Sequence, residues 1–153
     1  MNALICRMIG KVAVITGGAR GIGAATAKLF AENGAYVVIA DMLDELGAIL
    51  ADSIGARYIH CDVAKEDDVE SAIQLAITWK GELDILFNNA GIGGPKGSIT
   101  SLDMEQVKHL ISVNLLGNVH GLNSQACSAS HVEMPYKRFH YMHVKALQAL
   151  WEG

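Results

Sequence analysis

The chain has 153 residues, of which 51% are hydrophobic and 18% charged; that is the balance of one globular domain with a buried core, and it excludes a disordered chain. The formal net charge is -4, and no basic block is present to follow a phosphate backbone, so nucleic acid is not an expected partner. No apolar run approaches the roughly 20 residues of a membrane-spanning helix, and the start, MNALICRMIG, lacks the apolar core of a signal peptide, so no membrane association is expected.

Strand and helix signals alternate strictly from residue 11 to about 116. KVAVIT (11–16) is short, β-branched and uncharged towards its end, as expected of a strand buried on both faces. A helix follows, with Ile22, Ala25, Leu29 and Phe30 expected on its inner face and Asn33-Gly34 as its stop. YVVIA (36–40) is a second buried strand, and 43–54 reads as a helix facing inward through Leu43, Leu46, Ile49 and Leu50. RYIHC (57–61) is a third strand. Residues 65–80 form a helix with Val69, Ile73, Ala76 and Ile77 on one side and acidic residues in the first turn, where they suit the helix dipole. LDILF (83–87) is a fourth strand, and a glycine-rich loop leads to a helix from about Leu102 to Leu116. After Asn118 the signal decays: Val132 is the only β-branched residue between Gly121 and Tyr141, and no fifth strand is legible there.

Strand-helix alternation of this kind predicts an α/β fold: a Rossmann-type doubly wound parallel sheet with right-handed crossovers, here ending after about strand four or five. One domain is expected over 1–153, with 121–153 as an irregular tail.

TGGARGIG (16–23) stands between the first strand and the first helix. Glycines there allow a tight turn whose backbone can approach a pyrophosphate, with helix N–H groups aimed at the charge. The pattern alone is equally an ordinary strand-helix turn; its context and Asp41, ending the second strand about twenty residues on, favour a dinucleotide site. Asp41 suits the two ribose hydroxyls of an adenosine and would repel a 2′-phosphate, so NAD is favoured over NADP, although Arg20 could meet a phosphate.

TGGARGIG, CDV (61–63), NNAG (88–91) and the asparagine of VNLLG (113–117) together resemble the short-chain dehydrogenase/reductase family. VVIADMLDELG, HCDVAKEDDVE and DILFNNAGIGGPKGSI are similar to its plant members of the secoisolariciresinol and xanthoxin dehydrogenase kind. The resemblance covers about residues 9–120. It implies an NAD-dependent oxidoreductase acting on a small-molecule secondary alcohol or ketone, with Gly17, Gly21, Ile22 and Gly23 holding the pyrophosphate and Arg20 as a further cofactor-binding candidate in the same loop. Asp62 would accept from the adenine amino group beside the Val63 backbone, and Asn89, Ala90 and Gly91 would line the nicotinamide-side ribose. Asp62 is equally readable as a turn carboxylate and NNAG as a strand-ending turn.

Hydride transfer to a carbonyl needs a proton donor at its oxygen. A lysine four residues after a tyrosine on a helix shares its face and lowers the phenol's pKa. Tyr141 and Lys145 have that spacing, and the resemblance implies them as the catalytic pair and as cofactor contacts. Ser128, thirteen residues before Tyr141, would orient the carbonyl, and Asn114 would hold a relay water. Asn114 is also readable as a core asparagine bonded to nearby backbone. Asn114 and Ser128 are fourteen residues apart, about half the spacing that the resemblance implies. The chain therefore reads as an internally shortened, C-terminally abbreviated relative, and the alternative is a catalytically inactive NAD-binding module.

His131, His140 and His143 lack Cys or acidic partners at ligand spacing, so no metal is expected. Cys6, Cys61 and Cys127 are odd in number and form no CxxC, which reads as free thiols of a cytoplasmic protein. The resemblance leaves room for a homo-oligomer with part of the usual interface missing.

Overall fold

The structure, a computed structural model, describes residues 8–95, 98–131 and 140–143. In chain order the elements are β1 (Val12–Thr16), α1 (Gly21–Glu32), β2 (Tyr36–Asp41), α2 (Asp44–Ile54), β3 (Arg57–His60), α3 (Glu66–Lys80) and β4 (Ile85–Asn88). A short 3-10 turn, Ile99–Ser101, precedes α4 (Met104–Ile111); a wide turn, Ser112–Leu116, joins α4 to α5 (Gly117–His131), and β5 (His140–His143) follows.

The strands form one sheet in the order β3-β2-β1-β4-β5, and every pairing is parallel. The order reverses between β1 and β4, so the C-terminal ends of these two strands flank the crevice where an open α/β sheet binds its ligands. β1 is buried along its whole length because it is covered on both faces. Val12 and Val14 join Val38, Leu86, Val69, Ile73 and Ala76 under α3, while Ile15 joins Ile39, Phe87, Ala27, Leu50 and Ala51 under α1 and α2. Such double cover explains why the strands carry no polar alternation.

The first four strands and the inward face of α3 agree with the sequence expectation. The faces of α1 and α2 are corrected. Leu50 is buried and Phe30 packs against the same cluster as expected, but Leu29, Leu46 and Ile49 are all more than half exposed, and the remaining contacts are made by Ala27 on α1 and by Gly47 and Ala51 on α2. These helices approach the strands closely, so small residues mark the contact where larger ones were expected.

The region after residue 116 is also corrected. The helix continues for another fifteen residues as α5. Gly117 and Gly121 within it are small because neighbours leave no room: an added Cβ would lie 2.8 Å from the Val63 side chain at Gly117 and 2.8 Å from the Asn88 amide at Gly121. A fifth strand does exist. His140 to His143 pair in register with Ile85 to Asn88, so the open edge of β4 supplies what local β-propensity does not.

Candidate functional site

β1 turns into α1 through Gly17 and Gly21, whose φ angles of 62° and 56° lie in the left-handed region, where a side chain would strain the turn. A Cβ on Gly17 would stand 2.7 Å from the Ala90 backbone, and one on Gly23 would collide with the Gly17 carbonyl oxygen. Gly21, in contrast, has nothing within 4 Å of that position, so its main chain is open to a ligand. The start of α1 has no acidic residue in its first turn and no side-chain cap. By contrast α2 opens on Asp44 and Glu45, and α3 on Glu66, Asp67 and Asp68. The positive end of α1 is thus left for an anion from outside the chain.

The opposite wall is tied to this turn through main-chain groups. The Asn89 amide donates to the carbonyls of Thr16 and Gly17, each at 3.0 Å. The Thr16 hydroxyl accepts from the N–H groups of Asn89 and Ala90 at 3.1 and 3.2 Å. Asp41 ends β2 with its carboxylate held by two backbone donors, Ala19 N–H at 2.9 Å and Leu43 N–H at 3.0 Å. Each oxygen retains accepting capacity towards the cleft.

Asp62 follows β3; its carboxylate accepts from Ala64 N–H at 3.1 Å, closing a turn. Asn114 sits in the wide turn between α4 and α5, and its amide brackets Ile92 by accepting from its N–H at 2.8 Å and donating to its carbonyl at 2.9 Å. The Asn114 carbonyl in turn accepts from the Asn118 amide at 2.5 Å. Irregular turns of this width inside helices often accompany functional sites.

The resulting cleft has a volume of about 520 Å³. Of the cofactor residues expected from sequence, Gly17, Arg20, Gly21, Ile22, Asp41, Asp62, Val63, Asn89, Ala90 and Gly91 line it, and Gly23 lies buried just beneath. Sequence reasoning missed Met42, Leu43, Cys61, Ile92, Gly93, His109 and Val113. His109 and Val113 stand four residues apart across the junction of α4 and the wide turn; that spacing around Asn114 was the only signal for them.

Of the four catalytic candidates, only Asn114 has its side chain among the described residues. Asn114 is engaged with Ile92. Ser128 stands on α5 and Tyr141 on β5 opposite Leu86, with the side chains of both outside the described residues. Tyr141 was expected on a helix and its backbone is a strand; Lys145 lies outside the described residues.

The rim carries a second polar cluster. The Tyr58 hydroxyl lies 2.7 Å from the Asp41 carbonyl and 2.6 Å from the Asp44 carboxylate, which also meets His60 Nδ1 at 2.7 Å. Burial, then the bond to Asp44, raises the Tyr58 phenol above its usual range. Hydrogen bonds from Tyr58 and His60 hold Asp44 below the usual carboxylate range. Burial pushes the Cys61 thiol up to about 12, so this lining thiol stays protonated at neutral pH. Among the described residues no cluster of His, Cys, Asp and Glu could hold a metal, and no helix is long and apolar enough to cross a membrane.

Residues 11–129 match the family model described as short chain dehydrogenase. The chain is 57% identical over 120 residues to short-chain dehydrogenase reductase ATA1 of Arabidopsis thaliana, covering 78% of this chain and 44% of that protein. It is 47% identical to a mitochondrial borneol dehydrogenase of Lavandula x intermedia, covering 76% and 45%. Among solved structures, 3-ketoacyl-(acyl-carrier-protein) reductase from Brucella melitensis, complexed with NADH, superposes with a TM-score of 0.73 at 37% identity over 76% of this chain and 49% of that one. The chain spans less than half the length of these curated relatives. With the glycine turn, the Asn89 stitch and the β1/β4 crevice all in place, the chain belongs to the short-chain dehydrogenase family of oxidoreductases.

Proposed function

We propose that the protein binds NAD across the seam between β1 and β4 and serves as an oxidoreductase interconverting a secondary alcohol and a ketone. The carrying observation is Asp41, whose carboxylate is fixed by Ala19 and Leu43 at the cleft rim. There it would accept from both hydroxyls of the adenosine ribose and repel a 2′-phosphate, so NAD is preferred to NADP. Gly17, Arg20, Gly21, Ile22 and Gly23 would hold the diphosphate at the uncapped start of α1. Asp62 and Val63 would meet the adenine, and Asn89, Ala90 and Gly91 the nicotinamide-side ribose. The NADH bound by the Brucella reductase is of the same nicotinamide class. Bound here, the cofactor would supply the hydride acceptor. In this reading Tyr141 moves the proton at the carbonyl oxygen, Lys145 lowers the tyrosine pKa and binds ribose, Ser128 orients the carbonyl and Asn114 holds a relay water.

Calorimetric titration tests it. NAD is expected to saturate one site at least about tenfold more tightly than NADP, the size of one charge-assisted hydrogen bond or like-charge clash. Asp41→Asn is expected to narrow that gap. No saturation by either oxidised or reduced coenzyme would end the proposal.

A second reading, an inactive NAD-binding module, is favoured by the strand conformation at Tyr141, which departs from the helix on which a Tyr-x-x-x-Lys pair was expected. NAD binding without turnover of a panel of secondary alcohols, or turnover indifferent to Tyr141→Phe, would select it over the catalytic assignment.

The proposal extends to a homo-oligomer. Ile111, Leu115, Val119 and Leu122 form an exposed apolar stripe at helical spacing, which a second copy of the chain would cover. Sedimentation of Leu115→Glu against the unmodified protein tests this. A cytoplasmic location is supported by Cys61, buried and free.

A further inference from the structure

α5 reaches back to the loop after β3. One turn beyond Gly117, which brings the helix against the Val63 side chain, His120 Nδ1 lies 2.9 Å from the Val63 carbonyl. A carbonyl only accepts, so Nδ1 carries the hydrogen and, in the neutral ring, Nε2 carries the lone pair. One turn further, the Asn123 amide donates to Glu66 at the start of α3. Three points on one helix face therefore brace the loop.

The Val63 carbonyl and the Ala64 N–H belong to one peptide group. His120 holds its oxygen, and Asp62 Oδ1 accepts from its nitrogen at 3.1 Å. Rotation of that peptide would break both bonds together, so the orientation of the Asp62 carboxylate depends on the histidine. Asp62 and Val63 line the cleft, and His120 does not. We infer that His120 is a positioning residue for adenine recognition: by fixing the 63–64 peptide it aims the Asp62 carboxylate at the 6-amino group of the base. This rests on the reading that Asp62 meets an adenine.

The test uses the full chain and two probes, NAD and its 6-oxo analogue, nicotinamide hypoxanthine dinucleotide, titrated calorimetrically. The unmodified protein is expected to prefer the 6-amino form. His120→Ala reduces that preference about five- to tenfold, the size of one hydrogen bond. His120→Asn restores it, because its amide nitrogen reaches the place of Nδ1, whereas His120→Gln, whose nitrogen reaches towards Nε2, does not. A role in stability alone would lower the melting temperature and weaken both dinucleotides equally, leaving the preference intact; that result overturns the inference. If the alanine variant fails to fold, the contrast between asparagine and glutamine decides, and equal preferences in the two overturn it. Binding of both dinucleotides by the unmodified protein without preference removes the Asp62 assignment and this inference, while the NAD site survives. No binding of either removes the cofactor reading as well.

Discussion

The glycine turn with its surroundings, residues 16–23 and 88–92, and the helical arm from α4 through α5 build their contacts differently. In the first region the important groups are main-chain atoms: Asn89 and Thr16 bond to backbone, and Gly17 and Gly23 matter because of the atoms that they lack. In the second, the proposed catalytic set is one of side chains on different elements, Asn114 in a wide turn, Ser128 on α5 and Tyr141 on β5. A site made of backbone survives in a short stretch of sequence, because the stretch that carries it also folds it. A site made of distant side chains depends on everything between them.

The largest effect expected from breaking this contrast is at Gly23. Its Cβ would collide with the Gly17 carbonyl oxygen and stand 2.7 Å from the Asn89 amide nitrogen, and a backbone carbonyl in a tight turn cannot move aside. Gly23→Ala is therefore expected to cost about 3 kcal/mol of stability and to abolish NAD binding, measured by urea unfolding and by titration. A variant that unfolds at the same urea concentration as the unmodified protein would show that the turn is looser than its contacts require.

Next come the two asparagines. Asn89→Ala and Asn114→Ala each remove two hydrogen bonds to backbone, and each is expected to cost about 1–3 kcal/mol. The two should part in function. Asn89 joins the walls of the cleft, so its loss should weaken NAD at least about tenfold. Asn114 lies outside the lining and acts through Ile92, so NAD binding should change by less than about threefold. Equal losses in the two variants would mean that the wide turn also shapes the cofactor site.

These two residues also show what the sequence made legible. NNAG could be read because it resembles a family motif and follows a legible strand, which a strand-ending turn alone would not distinguish. The lining residues His109 and Val113 were invisible because a helical face of mixed polarity does not announce which of its members meets a cleft. β5 was missed for a related reason: HYMH has little strand signal, and the pairing edge of β4 supplies the rest. Helix α5 was cut short because the pattern decays after Asn118, and Gly117 and Gly121 carry no apolar signal of their own. Nothing local says that Val63 and Asn88 lie against them. The inward faces of α1 and α2 were read only in part, through Phe30 and Leu50, since Ala27 and Ala51 carry little hydrophobic signal and Leu29 and Ile49 carry much.

Cys61 gives a smaller effect, visible only at alkaline pH. Its thiol is raised in the folded protein from 9.0 to about 12 by burial and by Asp68, Asp62 and Asp41. The folded state thus keeps a proton that the unfolded chain releases from about pH 9 upward, and stability contributed by this group is lost as pH rises through that window. The stability gap between the unmodified protein and Cys61→Ala should shrink by about 1–2 kcal/mol between pH 8 and 10.5, read from urea midpoints at the two values. A gap that stays constant would mean that the thiol titrates alike in both states.

The smallest effect is expected on the outer surface of α4. Lys108 meets Glu105 at 2.7 Å, yet their side chains are 68% and 79% exposed, so water screens the pair and holding two flexible chains together offsets much of the attraction. Lys11 and Asp84 form a different kind of pair: Asp84 is buried, and its second oxygen accepts from Val12 N–H at the start of β1. Lys108→Met, which keeps the apolar stem, should therefore change stability by no more than about 0.5 kcal/mol, and the change should fade in 1 M salt, where the screening length falls to about 3 Å. A larger loss that grows with protein concentration would place Lys108 in an interface with a second copy, beside the apolar stripe of Ile111 and Leu115. The helical arm would then be an assembly surface in its own right, separate from the cleft that the glycine turn builds.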